Sequence, residues 1–410
     1  MIAAVAIVII AIISVGAYAA VSLGSSTTTA QTSTVTMTAT NTLVSTTSVV
    51  STTSLVSTQS LVSTATATSL VPVTTTVSST STSSSSTTSS SNSTNSINLV
   101  RIGYFANLNH APAIVGLSDG DFQAHLGSTT KIQTTLFTAG PTEMTALLAG
   151  QLDMAYVGPS PAVNAFIQSN GTALRIVTGV SSGGAVFVVR NNDGITSVKN
   201  FTGKTFAAPQ LGNTQDIALR SYLLRNHYVV GTNVSVDDTS NSNILTLMTQ
   251  GKLDGAWVPE PTASQLMFQA NCHVFLDERA LWPGGNFSTA ELVVSTSFLN
   301  AHPDVVKKVI AADVNDTMWI TKNLAQASSL IDSRIANLTT TTATNSTIFT
   351  NATKYLSFTY DPLEASVAQQ AQNAYELGFL GTSAPNLNGL FDLTLLNEVL
   401  QQDGLPQVTS

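Results

Sequence analysis

A chain of 410 residues with only 9% charged side chains, 15 Lys plus Arg and a net charge of -8 is a poor partner for nucleic acid, whose phosphates need clustered cations. Its single cysteine, Cys272, excludes an internal disulfide framework and any Cys-based metal site. Its five histidines show no metal-ligand spacing, and neither a Gly-x-Ser-x-Gly elbow nor a Gly-x-x-x-x-Gly-Lys loop is present, so no catalytic constellation, metal or cofactor is expected.

Residues 1–24 carry no charge and are long enough to cross a bilayer as a helix. The first Lys or Arg is Arg101, so a signal peptide's basic start is missing; Ala17-Tyr18-Ala19 is a weak cleavage site. The segment reads as a transmembrane anchor, with a cleaved signal as the alternative. Residues 25–97 are nearly all Ser and Thr with scattered Val, Ala and Leu, which cannot bury enough apolar surface to fold and suit a disordered, sugar-decorated stalk. Nine Asn-x-Ser/Thr sequons, at Asn92, Asn170, Asn200, Asn233, Asn286, Asn315, Asn337, Asn345 and Asn351, mark a glycoprotein whose head lies at the cell surface, outside the cytoplasm.

Residues 98–410 form the head. Strand-like runs at 99–104, 131–137, 174–178, 185–190, 205–208, 234–236 and 292–295 alternate with helical patterns, which argues an α/β layered architecture. Helices are expected over 303–324, 325–335 and 363–377, with the Thr-rich loop 339–347 between them.

One unit occurs twice. Gly150, Leu152, Asp153, Ala155, Val157 and Ala162 recur with unchanged spacing as Gly251, Leu253, Asp254, Ala256, Val258 and Ala263, with an aromatic, Tyr156 or Trp257, at the same place. Each copy reads as an apolar helix closed by its glycine, a short buried strand and a Pro-rich turn. Ligands of such sheets bind beyond the carboxyl ends of the strands, so the repeat predicts two similar lobes facing one cleft. The first lobe takes residues 98–184 and 291–410, and the second takes 185–290.

Four helix starts aim at that cleft: Asn109 or His110 as a cap before Pro112, Ser160 as a cap before Pro161, Asn213 or Thr214 as a cap with Asp216 in the first turn, and Glu260 before Pro261. Helix starts present unpaired N–H groups and a partial positive charge, so several together make an anion site without Lys or Arg. Gly183-Gly184 and Gly284-Gly285 read either as ordinary turns or as paired crossovers between hinging lobes. Asp153 and Asp254 are assigned to turn and strand-edge structure, and Tyr156 and Trp257 to the core or the cleft wall. Glu260 and Glu291 are open between meeting a cationic group of a ligand and a structural role.

The stretches Gly103 to Ala113, Ala146 to Ala162, Ala208 to Asp216, Asp254 to Pro261, Asp277 to Gly285 and Phe391 to Leu400 resemble the substrate-binding proteins of ABC importers in the aliphatic sulfonate, taurine and nitrate group. The resemblance implies a two-lobed type II periplasmic-binding-protein fold in a monomer, a small-molecule anion as ligand, and an ABC permease with its ATPase as partners. Its ligand loops fall on Tyr104, Asn107, Asn109 and His110, on Gly158, Pro159 and Ser160, on Gly183 and Gly184, on Gln210, Gly212, Asn213 and Thr214, and on Trp257, Glu260 and Glu291. At Thr262 the sequence departs from the group, where an aromatic is common. Two other readings compete. Thiamine-pyrimidine precursor binding or synthesis uses the same fold, although those synthases carry a cysteine-rich motif absent here, and the stalk and sequons alone suit a structural cell-surface protein.

Overall fold

The structure, a computed structural model, describes residues 97–339 and 345–409. The proposed membrane segment, the stalk with its Asn92 sequon and the middle of the Thr-rich loop lie outside the described residues. Among the described residues no helix is long and apolar enough to cross a membrane.

The chain enters through β1 (Leu99–Phe105), α1 (Ala111–Asp119), α2 (Asp121–Leu126), β2 (Lys131–Phe137), α3 (Gly140–Leu148), β3 (Met154–Val157), α4 (Pro159–Gln168) and β4 (Leu174–Gly183). It then builds β5 (Ala185–Arg190), β6 (Thr205–Ala208), α5 (Thr214–Arg225), β7 (Ser235–Asp238), α6 (Asn241–Thr249), β8 (Gly255–Pro259), α7 (Thr262–Gln269) and β9 (Cys272–Asp277). It returns through β10 (Ser288–Ser295), α8 (Thr296–Ala301), α9 (Pro303–Lys322), α10 (Leu324–Thr339), α11 (Ser346–Ala352), β11 (Leu356–Phe358), α12 (Glu364–Glu376) and α13 (Thr394–Gln402). Two sheets result: six strands in the order β11-β4-β10-β3-β1-β2, and five in the order β7-β6-β8-β5-β9. Each is the centre of one lobe of an α/β fold.

The sequence repeat is a structural repeat. After α3, Gly150 takes a φ of 69° and after α6 Gly251 takes 71°, a left-handed backbone that glycine adopts without strain. Gly150 N–H donates to Leu147 O and Gln151 N–H to Ala146 O; Gly251 N–H donates to Met248 O and Lys252 N–H to Leu247 O. Both helices therefore end in the same Schellman closure. Each following aspartate accepts the backbone N–H of the neighbouring parallel strand, Asp153 from Arg101 and Asp254 from Thr205, both at 2.8 Å. Each also pairs a cation, Arg101 or Lys204. The assignment of these two carboxylates to strand-edge structure holds in both lobes.

The repeated strands β3 and β8 are wholly buried, as expected for strands covered on both faces. Each pairs antiparallel with the strand that has just crossed from the other lobe, β10 in the first sheet and β5 in the second. The crossover into β5 runs through Gly183 and Gly184, with φ of 74° and 75°. A side chain at Gly184 would press within 2.5 Å of Asn109 Nδ2, so the close approach of this segment to Asn109 requires a residue without Cβ.

Candidate functional site

The carboxyl ends of the strands meet in a cleft between the sheets. From the first lobe it receives Phe105, Asn107, Asn109 and His110 after β1, Thr138 after β2 and Gly158 after β3. From the second it receives Asn213, Thr214 and Gln215 at the start of α5, Asn241 at the start of α6 and Pro259 at the end of β8, with Thr289 on the returning strand β10. The space is about 350 Å³ with its mouth included, of which only about 20 Å³ is open to the centre of a water-sized sphere. That is room for little more than one small group. The lobes touch across it: Ser160 N–H approaches Thr214 Oγ1 at 3.4 Å, and Leu108 N–H donates to Glu260 O at 3.1 Å. A methyl group at Gly158 would come within 2.3 Å of Thr214 Oγ1.

Helix starts converge here, with caps that differ in part from those expected. The cap position of α1 is His110, as one of the two expected choices, although its side chain makes no capping bond; Asn107 caps the short 3-10 turn of residues 108–110 just before it, accepting Asn109 N–H. The cap of α4 is Gly158, and Ser160 is the second residue of the helix with its hydroxyl buried and unpartnered, because Pro159 already has the helical φ that opens the helix. The cap position of α5 is Asn213, as one of the two expected choices, and Asp216 in its first turn accepts from Gly212 N–H and Arg220. At the second repeat the carboxylate of Glu260 accepts from Ser264 N–H and Oγ at 3.0 and 3.1 Å, and so serves the start of α7 rather than the cleft.

Among the described residues no Lys or Arg lines the cleft. His110 is fully buried, which lowers its pKa to about 3, so the ring is neutral. Its Nδ1 accepts Phe105 N–H at 3.3 Å, and the ring proton is therefore on Nε2, available as a donor. Asn109 holds the crossover segment: its Nδ2 donates to Gly183 O at 3.0 Å, and Thr289 Oγ1 donates to the same carbonyl. The arrangement offers neutral donors and aligned helix starts, the equipment for holding a small anion without a counter-cation.

Of the residues read as ligand-binding, Asn107, Asn109, His110, Gly158, Asn213 and Thr214 line the cleft together. Pro159 and Ser160 lie just behind it at the start of α4, Gly183 and Gly184 form the crossover, and Gly212 edges a separate groove with Leu211 and Phe379. Gln210 is outside the lining, its Oε1 buried without a partner. Tyr104 points into the first-lobe core. Trp257 belongs to the second-lobe core, fully buried, stacked on Phe187 at 5.2 Å and donating Nε1–H to Glu278 at 2.7 Å. Its strand is covered on both faces, so no face is left for a ligand. Glu291 is fully buried and accepts from Ser288 Oγ, and burial raises its pKa well above the usual carboxyl range. Thr138, Gln215, Asn241 and Thr289 were not anticipated. Thr138 was within reach of the rule used for the other loops, since it directly follows the strand at 131–137. Among the described residues no group of His, Cys, Asp or Glu is placed to hold a metal.

Comparison with known proteins places this geometry. A protein of Brucella abortus (strain 2308), provisionally named a binding protein, is 27% identical over 222 residues, which are 52% of this chain and 64% of that protein's length. The match thus spans under two thirds of the curated relative. Among solved structures, the periplasmic nitrate-binding protein NrtA from Synechocystis PCC 6803 superposes with a TM-score of 0.64 at 15% identity, covering 76% of this chain and 92% of its own. The alkanesulfonate-binding protein SsuA from Xanthomonas axonopodis pv. citri, bound to MOPS, gives 0.58 at 18% identity, covering 71% and 97%. At these identities the likeness establishes the two-lobed periplasmic-binding-protein fold. The sequence profile of the NMT1-like family matches residues 95–332, more than half of the chain, and this chain belongs to that family.

Proposed function

We propose that the head is a non-catalytic solute receptor that captures a small anion between its lobes and delivers it to an ABC permease driven by its ATPase. The observation that carries this reading is the convergence of helix starts on a cleft with no Lys, no Arg and a neutral His110. A site of that kind holds an anion by fixed N–H dipoles and releases it without breaking an ion pair. The names of the two structural neighbours, one nitrate-binding and one alkanesulfonate-binding, support a small oxyanion as the ligand class. The sequence of residues 1–97 supports display at the cell surface on a stalk, held by an N-terminal membrane helix.

The test is thermal melting of the full chain against nitrate, hydrogencarbonate, sulfate, taurine and short alkanesulfonates. A ligand at a hundred times its dissociation constant stabilises the folded state by about 2.7 kcal/mol, a shift of several degrees. At least one of these anions should produce it. No shift with any of them would overturn the receptor reading.

A further inference from the structure

Among the residues that line the cleft, Asn109 carries an acceptor that is held in place and unpaired. Asn109 is 1% exposed and lines the cleft. Its Nδ2 donates to Gly183 O at 3.0 Å and approaches Ser181 Oγ at 3.4 Å, whereas its Oδ1 is buried with no hydrogen-bond partner. The amide cannot be turned over to relieve this, because Oδ1 would then face a carbonyl that only accepts. Gly184 adds a steric constraint, since the crossover backbone lies so close to Nδ2 that even a methyl group there would collide with it. Across the cleft, Asn241 Oδ1 is likewise buried without a partner.

A buried acceptor left unpaired costs free energy, and an acceptor-only anion such as nitrate cannot relieve that cost; it brings its own lone pairs against it. We propose that Asn109 selects for anions carrying a hydrogen-bond donor of their own, an O–H or N–H that meets Oδ1 while the remaining oxygens take the helix-start N–H groups and His110. The small free space favours a donor on the anion's own central group, as in hydrogencarbonate, over one on a long substituent. This inference rests on the reading of the cleft as an anion site and names the feature that divides anions there.

Hydrogencarbonate and nitrate make the comparison, being planar, singly charged and of like size, and differing by one O–H. Titration calorimetry on the full chain in mildly alkaline buffer should show hydrogencarbonate binding about tenfold more tightly than nitrate. In Asn109→Ala the loss of the bond to Gly183 weakens both anions together, whereas the loss of Oδ1 weakens hydrogencarbonate alone, so the ratio should fall to about two or less. A purely structural Asn109 would move both affinities and leave the ratio unchanged, which would overturn the proposal. Nitrate binding as tightly as hydrogencarbonate in the unmodified chain would overturn it too, while leaving anion capture intact; this arm decides the matter even if the variant does not fold. No binding of any anion of the melting screen by the folded chain would overturn the selectivity and the receptor reading together.

Discussion

Glu278 lies fully buried beneath Trp257, and burial lifts its pKa well above the usual carboxyl range. Trp257 Nε1–H is the hydrogen bond that makes this position tolerable. Trp257→Phe keeps an aromatic on Phe187 but leaves Glu278 short of a donor, so stability should fall by about 1 to 3 kcal/mol from the unpaired group, with more from the lost ring volume. Anion affinity should stay within about twofold, because Trp257 does not line the cleft. Denaturant unfolding and titration calorimetry on the same preparation separate the two; a large loss of affinity at unchanged stability would return Trp257 to the cleft wall. Tyr156, its counterpart in the first lobe, makes the parallel arrangement, donating its hydroxyl to buried Asp313 at 2.8 Å. Why a large aromatic recurs at this place was not legible from the repeat alone, since the partner carboxylates are 157 and 21 residues away along the chain.

The starts of α4 and α5 face each other so closely that a side chain at Gly158 would collide with Thr214. The backbone of Gly158 has a φ of -70°, open to any residue, so Gly158→Ala tests closure without backbone strain. The added methyl should hold the lobes apart at an overpacking cost of about 1 to 3 kcal/mol, weakening anion affinity by roughly 5- to 150-fold with a smaller effect on melting of the free chain. Calorimetry on the variant checks this; unchanged affinity would mean that the lobes bind without touching here. Elements of this kind were largely visible in the sequence. The glycine-closed helices, the buried strands and the aspartates at 153 and 254 all follow from local spacing and backbone preference. What local pattern could not supply was the exact first residue of a helix, as Gly158 and Ser160 show, or contributions such as Asn241 and Thr289 that depend on how strands are ordered in the sheet. The crossover glycines were visible as a pair, but the contacts that require them lie far off in the chain: Asn109, 75 residues before Gly184, and Tyr355 and Arg279 against Gly183.

At the scale of the molecule, buried carboxyls among the described residues outnumber the cations placed to meet them. Burial pushes Glu260 and Asp313 up to about 7 and Asp316 up to about 8, and leaves an oxygen of Asp313 and one of Asp316 without a partner. A carboxyl whose folded pKa is raised above its unfolded value of about 4 favours the fold in its protonated form. The contribution is complete below about pH 4 and is lost as pH rises through about 7 to 8. Melting temperature should therefore fall between mildly acidic and mildly alkaline buffer, and Asp313→Asn, which keeps an acceptor for Tyr156 and cannot ionise, should flatten part of that slope. A melting temperature that is constant or rises over the same range would show that these groups do not govern stability.

The order of strands also bears on how the chain is made. All five strands of the second sheet lie between Ala185 and Asp277, whereas in the first sheet β10 is inserted between β3 and β4. As the chain emerges from its N-terminus, β3 and β4 have no pairing with each other, and their facing edges stay open until Ser288 arrives. At about 5 to 20 residues per second that interval is roughly 5 to 20 seconds, with two apolar strands exposed as templates for wrong partners. The later lobe is thus completed first, and the earlier one depends on a strand delivered from the far side of its neighbour.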